Sequence, residues 1–210
     1  MALLHHAELQ PSKQEMVAAW LPTQPWYHGP VTRQVRRVGA YRFDDPAGEV
    51  GVETLLVDPG DGALIQVPMT YRGAPLAGAE AWLIGTMSHS VLGERWVYNA
   101  CGDPVYVSTL AHAIATGGSQ AEEFIEIDGE MQRREPSVHV RGSGSDPAGP
   151  VQARAAEVTD GDPVVIRMEA LALTVVRVLD PAAAGGPGLT LTGTWKGQAT
   201  PVLLARLQTL

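Results

Sequence analysis

The sequence predicts an α+β protein, in which an antiparallel sheet crossed by helices is followed by a second segment rich in β-strands. Helical spacing with clear end signals occurs near residues 12–20 and 103–117. The rest of the chain alternates between short strand-like runs and breaks rich in Gly and Pro. The strand-like runs follow one another without intervening helices, and this order favours antiparallel pairing over repeated βα units.

The first helix is predicted to begin after Ser12. Ser12 and Glu15 fit a capping box, in which each side chain accepts a hydrogen bond from a free backbone amide of the first turn. Pro22 and Pro25 are expected to end the helix, because proline cannot continue it. The apolar face, at spacings of three and four, comprises Met16, Ala19 and Trp20.

A meandering sheet is predicted next. Val31–Phe43 is expected to be extended, and Glu49–Asp58 and Ala63–Tyr71 form two strand-like runs around the turn residues 59–62. Glu80–Ala100 then predicts two further strands with a break between them. These runs together indicate hairpin connections within one antiparallel sheet.

The second helix carries the clearest end signals. Asp103 is placed to cap it, Pro104 occupies the first helical position, and Gly117 and Gly118 are expected to stop it. Its predicted buried stripe comprises Val107, Leu110, Ala111 and Ile114.

From residue 119 onwards the sequence predicts mostly antiparallel sheet, with Gly142–Pro150 as a loop. We therefore divide the chain into residues 1–118 and residues 119–210. The strand-like runs of the second segment are Glu122–Asp128, Ser137–Arg141, Pro163–Met168, Leu171–Leu179, Leu189–Trp195 and Pro201–Leu207.

Composition excludes several classes of protein. The chain has 210 residues and a net charge of -8, so a uniformly basic nucleic-acid surface is not expected. The single cysteine, Cys101, excludes an intramolecular disulfide framework and a Cys-rich zinc site. With no secretory signal pattern and no apolar run long enough to span a bilayer, we expect a cytoplasmic protein without a membrane partner.

Familiar catalytic and ligand-binding motifs are absent from the sequence. It contains no G-x-x-x-x-G-K-[ST] phosphate loop, no H-E-x-x-H zinc helix and no G-x-S-x-G nucleophile elbow. We expect no cofactor and no metal site, and the sequence identifies no catalytic residue.

Two charged clusters each allow two interpretations. Four carboxylates within one extended run either hold a hard cation such as calcium or form a solvated sheet face: Glu122, Glu126, Asp128 and Glu130. Four arginines either bind a phosphate or acidic partner or form surface and internal ion pairs: Arg33, Arg36, Arg37 and Arg42.

The densest stretch of polar and aromatic residues is our first candidate for a binding site. Trp96 and Tyr98 have apolar faces suited to stacking on sugar rings, and the side chains of His89, Arg95 and Asp103 are able to orient hydroxyl or phosphate groups. The alternative is purely structural, with core aromatics and with Asp103 acting only as a helix cap.

The run Trp20–Gly29 resembles the W-L-x-x-Q-R-W-[YF]-x-G opening of the N-terminal cap of bacterial maltokinases. The agreement continues at Gln66–Pro68, at Ile84–Gly85 and at Asp103–Pro104, so the resemblance covers about residues 12–118. Short standalone relatives, sometimes labelled α-glucan branching proteins, are similar through residues 87–98.

This resemblance implies a fold and a metabolic context. Maltokinases transfer phosphate from ATP to maltose in the trehalose-to-α-glucan route, and their cap precedes a kinase first lobe. By analogy, residues 119–210 resemble a truncated form of that lobe. Thr174 stands where the family's ATP-binding lysine is expected, and no H-x-D-x-x-x-x-N loop or Asp-Phe-Gly occurs. A threonine hydroxyl lacks the positive charge that the phosphates need.

We therefore expect a noncatalytic accessory or regulatory protein of maltose, trehalose or α-glucan metabolism. It would bind a partner enzyme or a saccharide. A further alternative is a structural module that forms a homodimer through an exposed sheet edge. The alternative is a sugar-active enzyme of unrecognised type, with a site around His89, Arg95 and Asp103.

Overall fold

The computed structural model of the chain describes residues 2–4, 8–127, 130–146, 157–183 and 186–210. The helices in these residues are α1 (Lys13–Trp20) and α2 (Pro104–Thr116), with single 3-10 turns at Leu21–Thr23, Glu80–Trp82 and Ala100–Gly102. The strands are β1 (Ala2–Leu4), β2 (Leu9–Gln10), β3 (Arg36–Phe43), β4 (Gly51–Asp58), β5 (Leu64–Arg72), β6 (Leu83–His89), β7 (Gly93–Asn99), β8 (Glu123–Ile127), β9 (Glu130–Arg134), β10 (Val138–Gly142), β11 (Glu157–Thr159), β12 (Val164–Arg167), β13 (Leu171–Val175), β14 (Val178–Leu179), β15 (Leu189–Trp195) and β16 (Gln198–Thr209).

Both helices begin where their capping residues predict. The Ser12 hydroxyl accepts a hydrogen bond from the Glu15 amide, and the Glu15 carboxylate accepts one from the Ser12 amide, so the capping box is present. Asp103 accepts from the Val105 amide at the start of α2, and Gly117 ends the helix with a positive φ of 67°. Ala19 is exposed on α1, where the predicted apolar face had included it.

A seven-stranded sheet forms the middle layer of the molecule. Its order is β2-β6-β7-β5-β4-β3, and β14 also pairs with β5. Successive side chains of a strand point to opposite faces. On β4, Leu55 and Val57 accordingly pack with α1 in one core cluster, whereas Leu56 packs in the other.

A six-stranded sheet lies on the opposite side of this layer from α1, with the order β10-β15-β16-β13-β12-β11. Helix α2 contacts β10, β15 and β16. The larger core cluster combines residues of both predicted segments, since Tyr41 and Leu56 pack in it together with Val138, Leu173 and Leu204. Strands β1, β8 and β9 form a third, smaller sheet in which β1 runs parallel to β8.

The α+β class is confirmed, and the described part of the chain is mostly antiparallel sheet. Each predicted strand run of the second segment contains a strand, and Leu171–Leu179 contains two short ones. The strands β1, β2, β9 and β11 were not predicted. The likeness of residues 119–210 to a kinase lobe and the boundary at residue 118 stay predictions. The predicted loop Gly142–Pro150 lies partly outside the described residues.

No helix in the described residues is both long and apolar enough to cross a membrane.

Candidate functional site

A groove of about 980 Å³ runs along the outer face of α2. One wall is the loop of residues 43–47 that follows β3, the floor is α2, and the other wall is the segment of residues 118–122 that leads into β8. These three pieces come from widely separated parts of the sequence. The fold therefore assembles the groove, and no local motif encodes it.

Helix α2 presents an unusual outer face to this groove. None of its 13 residues is charged, although a helix at a protein surface normally carries charges on its solvent side. The predicted stripe of Val107, Leu110, Ala111 and Ile114 is fully buried against the core. On the other side, small and polar residues line the groove at spacings of three and four: Val105, Ser108, Thr109, His112 and Thr116.

The loop of residues 43–47 is held in shape by one carboxylate. The Asp45 carboxylate accepts hydrogen bonds from the amides of Ala47 (3.0 Å), Glu49 (3.0 Å) and Val50 (2.9 Å). Asp45 therefore stabilises this wall through backbone contacts, and its negative charge remains beside the groove.

The opposite wall depends on close backbone contact with the end of α2. The Gly118 amide donates to the Ala113 carbonyl at 2.8 Å, and the Ala121 amide donates to the Arg42 carbonyl at 2.8 Å. At Gly142, which pairs with Gly118, a Cβ atom would lie 2.0 Å from the Ala113 carbonyl oxygen. Only glycine at residue 142 allows β10 to approach α2 this closely.

The start of α2 is anchored by a fully buried Asp103. Its carboxylate accepts a bidentate pair of hydrogen bonds from Arg72 (2.7 and 2.8 Å), one from the Thr70 hydroxyl (2.7 Å) and one from the Val105 amide (2.9 Å). Asp103 is thus fully engaged below the groove, and its role in the structure is to fix the position of α2.

The groove is acidic and otherwise uncharged. Its lining includes the carboxylates of Asp44, Asp45 and Glu122, but no Lys or Arg among the described residues. The His112 ring is partly buried, and no hydrogen bond to it is found in the described part of the chain; its Nδ1 atom is fully buried without a partner. The arrangement suits a ligand that offers hydrogen bonds and apolar surface.

Two of the five predicted site residues, His89 and Arg95, lie at the β6–β7 hairpin. His89 Nδ1 accepts hydrogen bonds from the Val91 and Leu92 amides, and Arg95 donates to the Leu92 carbonyl at 2.7 Å. On each of the two strands, the residue two positions away belongs to the core cluster that packs with α1. Side chains two positions apart on a strand point to the same face, so His89 and Arg95 both point to the α1 side of the sheet.

The other three residues lie on the opposite face. Trp96 is half-buried, Tyr98 is buried and its hydroxyl accepts from the Leu76 amide at 2.8 Å, and Asp103 holds α2 as described above. The structure therefore does not bring His89 and Arg95 together with Asp103 in one cavity. A ligand at any of these five positions stays a prediction.

Two of the four arginines of the predicted basic cluster, Arg36 and Arg42, form ion pairs. Arg36 contacts Asp58 at 2.6 Å, and Arg42 contacts Glu53 at 3.0 Å and Glu123 at 3.5 Å, as the ion-pair interpretation predicts. Arg37 and Arg33 are exposed. The acidic run does not stay on one strand, because Ile127 pairs with Glu130 and the chain reverses between them.

Of that acidic run, Glu122 contacts Arg133 at 3.1 Å and Asp128 lies outside the described residues. Among the residues that the structure describes, no group of three or more His, Cys, Asp or Glu side chains is placed to hold a metal ion.

A buried charge network lies on the α1 side of the sheet. The carboxylate of Glu53, which is only 3% exposed, accepts hydrogen bonds from Lys13 (2.5 Å) and the Tyr71 hydroxyl (2.8 Å) and contacts Arg42. Burial alone would raise the pKa of Glu53, but the charges of Arg42 and Lys13 outweigh it and hold this pKa well below its usual range. The network ties α1 to β3, β4 and β5.

A second buried cation, Arg177, lies beside the aromatic residues of the Trp20–Gly29 run. Its Cζ atom is 5.7 Å from the Trp20 ring centre and 5.0 Å from that of Trp26, and its Nη2 atom contacts Asp160 at 3.0 Å. The guanidinium Nε and Nη1 atoms and the Trp26 Nε1 atom are buried, and they have no hydrogen-bond partner among the described residues. Arg177 itself has no exposed surface, whereas Trp26 is half-buried and the Asp160 side chain is 32% exposed.

Sequence reasoning missed His112 and the groove. The available signal was the 13-residue run without charge in α2, together with polar residues at spacings of three and four on its outer side. That signal shows that this face is special, but it does not show that residues 43–47 and 118–122 lie opposite.

Residues 20–103 match the family model of the maltokinase N-terminal cap domain. The resemblance predicted from the Trp20–Gly29 run is confirmed, and the chain contains a maltokinase N-terminal cap-like domain. No curated protein matches the chain in sequence. The matched segment ends at the cap residue of α2, so the groove lies where this segment meets the following one.

Proposed function

We propose that this chain is a noncatalytic accessory or regulatory protein of maltose, trehalose or α-glucan metabolism, which acts by binding a partner enzyme or a saccharide. The observation that carries the proposal is the match of residues 20–103 to the maltokinase N-terminal cap domain. The groove along α2, directly after the matched segment, supplies a surface of suitable size for binding.

The chemistry of the described residues supports a role without phosphoryl transfer. Thr174, which the resemblance places where the family's ATP-binding lysine is expected, lies within β13 and pairs with Val165 and Arg206 in the six-stranded sheet. Its hydroxyl has no positive charge to stabilise nucleotide phosphates. The groove lining contains no Lys or Arg among the described residues, so it offers no cation to nucleotide phosphates.

The proposal is tested by two measurements on the full chain. Incubation with γ-labelled ATP and maltose should transfer no label to the sugar. In calorimetry, the chain should bind at least one of four candidates: purified trehalose synthase, maltosyltransferase, branching enzyme or a member of a maltodextrin series.

Groove-specific binding is separated from non-specific binding by a matched pair of variants. Ala47→Trp places a large ring in the wall of the groove, whereas Ala74→Trp places the same ring on an exposed loop elsewhere. We expect binding to be lost in A47W and retained in A74W. Label on the sugar, or no binding by any of these enzymes or saccharides, would refute the proposal.

A further inference from the structure

We propose that the outer edge of β9 pairs, antiparallel, with the same edge of a second copy of this chain, so that two three-stranded sheets join into one sheet of six strands. The inference goes beyond the proposed function, which concerns a partner enzyme or a saccharide. Three observations support it: the free edge of β9, the order of charges along this strand, and the register that strand geometry allows.

Strand β9 lies at the end of the β1-β8-β9 sheet, and β8 is its neighbour among the described strands. All five residues of β9 are exposed, including Met131 at 49%. One row of its backbone amides and carbonyls therefore has no strand partner in the described part of the chain. An edge of this kind readily pairs with another strand.

The charges along β9 make the strand complementary to itself. Its sequence is Glu-Met-Gln-Arg-Arg, with the carboxylate at one end and the guanidinium groups at the other. Arg133 is already paired with Glu122 at 3.1 Å, whereas Glu130 and Arg134 take part in no ion pair among the described residues. The charges left for a partner are thus one negative and one positive, at opposite ends. Two antiparallel copies bring each negative end to a positive end.

Strand geometry selects the register of this pairing. Along a strand, alternate residues turn their backbone groups towards a given neighbour, so residues paired across a two-fold axis are both odd-numbered or both even-numbered. Among the registers that this rule allows, only the one centred on Gln132 pairs all five residues of β9. It sets Glu130 opposite Arg134 of the second copy at both ends. Registers centred on Met131 or Arg133 leave this pair of charges unmade.

The size of the contact predicts a reversible dimer. A stable interface typically involves roughly 20–30 residues a side, and the paired strands contribute far fewer. We therefore expect a monomer–dimer equilibrium that depends on protein concentration. Because its specificity comes from two symmetric charge pairs, the equilibrium should respond strongly to charge reversal.

Sedimentation velocity of the full chain across a wide concentration series measures this equilibrium. We expect the mass to rise from that of one chain towards that of two. Glu130→Arg and Arg134→Glu should each weaken the dimer at least about tenfold, because both end pairs then join like charges. An equimolar mixture of these two variants should dimerise about as the unmodified chain does, because both end pairs again join opposite charges. The controls Glu94→Arg and Arg167→Glu change exposed residues on strands of the other two sheets and should not alter the equilibrium.

The variant Gln132→Cys tests the register itself. Directly opposite residues of antiparallel strands have Cα atoms about 4.5–5.5 Å apart, which is within the range that a disulfide can bridge. With copper–phenanthroline as oxidant, Q132C should therefore form a covalent dimer. Met131→Cys should form far less, because residue 131 lies opposite residue 133 of the second copy. The buried Cys101 is present in both variants and does not distinguish them.

Four results would overturn the inference. These are a single-chain mass at every concentration, charge variants that dimerise as well as the unmodified chain, a mixture of the two charge variants that stays monomeric, and equal cross-linking of M131C and Q132C. Circular dichroism confirms that each variant is folded. The proposed function is tested separately, by calorimetry with glucan enzymes and saccharides, and it stands or falls independently of these results.

Discussion

Replacing Glu53 with glutamine is expected to destabilise the protein strongly, although the two side chains have almost the same shape. Glu53 is 3% exposed and contacts Lys13, Arg42 and the Tyr71 hydroxyl. The substitution removes the one carboxylate shared by both cations. Arg42 keeps only its longer contact with Glu123, at 3.5 Å.

The size of the effect follows from what is left behind. Removing one partner of a buried ion pair typically costs about 3–5 kcal/mol, because the remaining charge stays desolvated. Glutamine keeps an oxygen for the Tyr71 hydroxyl, and Lys13 and Arg42 are 21% and 16% exposed, so we expect the lower end, about 3 kcal/mol. For a protein of this length, that loss corresponds to a fall in Tm of about 6–12 °C.

The assay is reversible denaturant unfolding with a matched surface control. Arg36→Gln breaks the Arg36–Asp58 pair on the same sheet, where 68% of the Arg36 side chain is exposed, so it should cost no more than about 1 kcal/mol. The double variant Lys13→Met/Glu53→Gln should cost less than the sum of its two single variants. Equal losses of stability in E53Q and R36Q would refute the argument from burial.

The same carboxylate predicts a pH dependence. Because the pKa of Glu53 is lowered in the folded state, its contribution to stability is complete above the unfolded value near pH 4.3 and declines as the pH falls below it. Between about pH 5 and pH 3, the unmodified chain should therefore lose more free energy of unfolding than E53Q. Parallel pH profiles for the two proteins would contradict the assignment.

Three further predictions test the packing around α2. Burial raises the pKa of the Cys101 thiol to about 11, so we expect no reaction with Ellman's reagent in the native protein at pH 8 and one thiol per chain after unfolding in denaturant. Gly142→Ala should destabilise the protein by at least about 2 kcal/mol in thermal melting, because the new methyl group meets the Ala113 carbonyl; unchanged stability would show that β10 can shift. Asp103→Ala should lower the free energy of unfolding by about 3 kcal/mol, and Asp103→Asn should lower it less. Asparagine keeps the helix cap but loses the charge that Arg72 binds. Equal losses in the two variants would assign the whole effect to the ion pair with Arg72.

The helices and most strands were predictable from the sequence because their signals are local. A capping box, a proline at the first helical position and a glycine after the last turn act within a few residues, and both helices begin and end where these signals occur. The strands β1, β2, β9 and β11 lack such signals. All five residues of β9 are exposed, so no alternation of apolar residues marks it.

The groove was not predictable because it depends on contacts between residues far apart in the sequence. Its walls come from residues 43–47 and 118–122, which meet only because β3 and the end of α2 are placed side by side by the core. The predicted cluster at residues 89–103 was conspicuous in sequence because polar and aromatic residues follow one another closely. Alternation along β7 sends neighbouring side chains to opposite faces, so closeness in sequence did not become closeness in space.

The run Trp20–Gly29 shows how a recognisable motif can serve packing. Trp20 and Trp26 lie edge to face at 6.1 Å, and the buried guanidinium of Arg177 lies beside both rings. The Arg177 carbonyl accepts a hydrogen bond from the Gln66 amide at 2.8 Å. Gln66 lies on β5 between the residues that pair with β14 and those that pair with β7. Since residue 177 lies far beyond the matched segment, a cation from the second part of the chain completes the aromatic cluster of the first. A residue outside the matched segment therefore helps to stabilise the cap-like domain. The groove lies between two parts of the chain that share one core cluster, and this shared core fixes their positions.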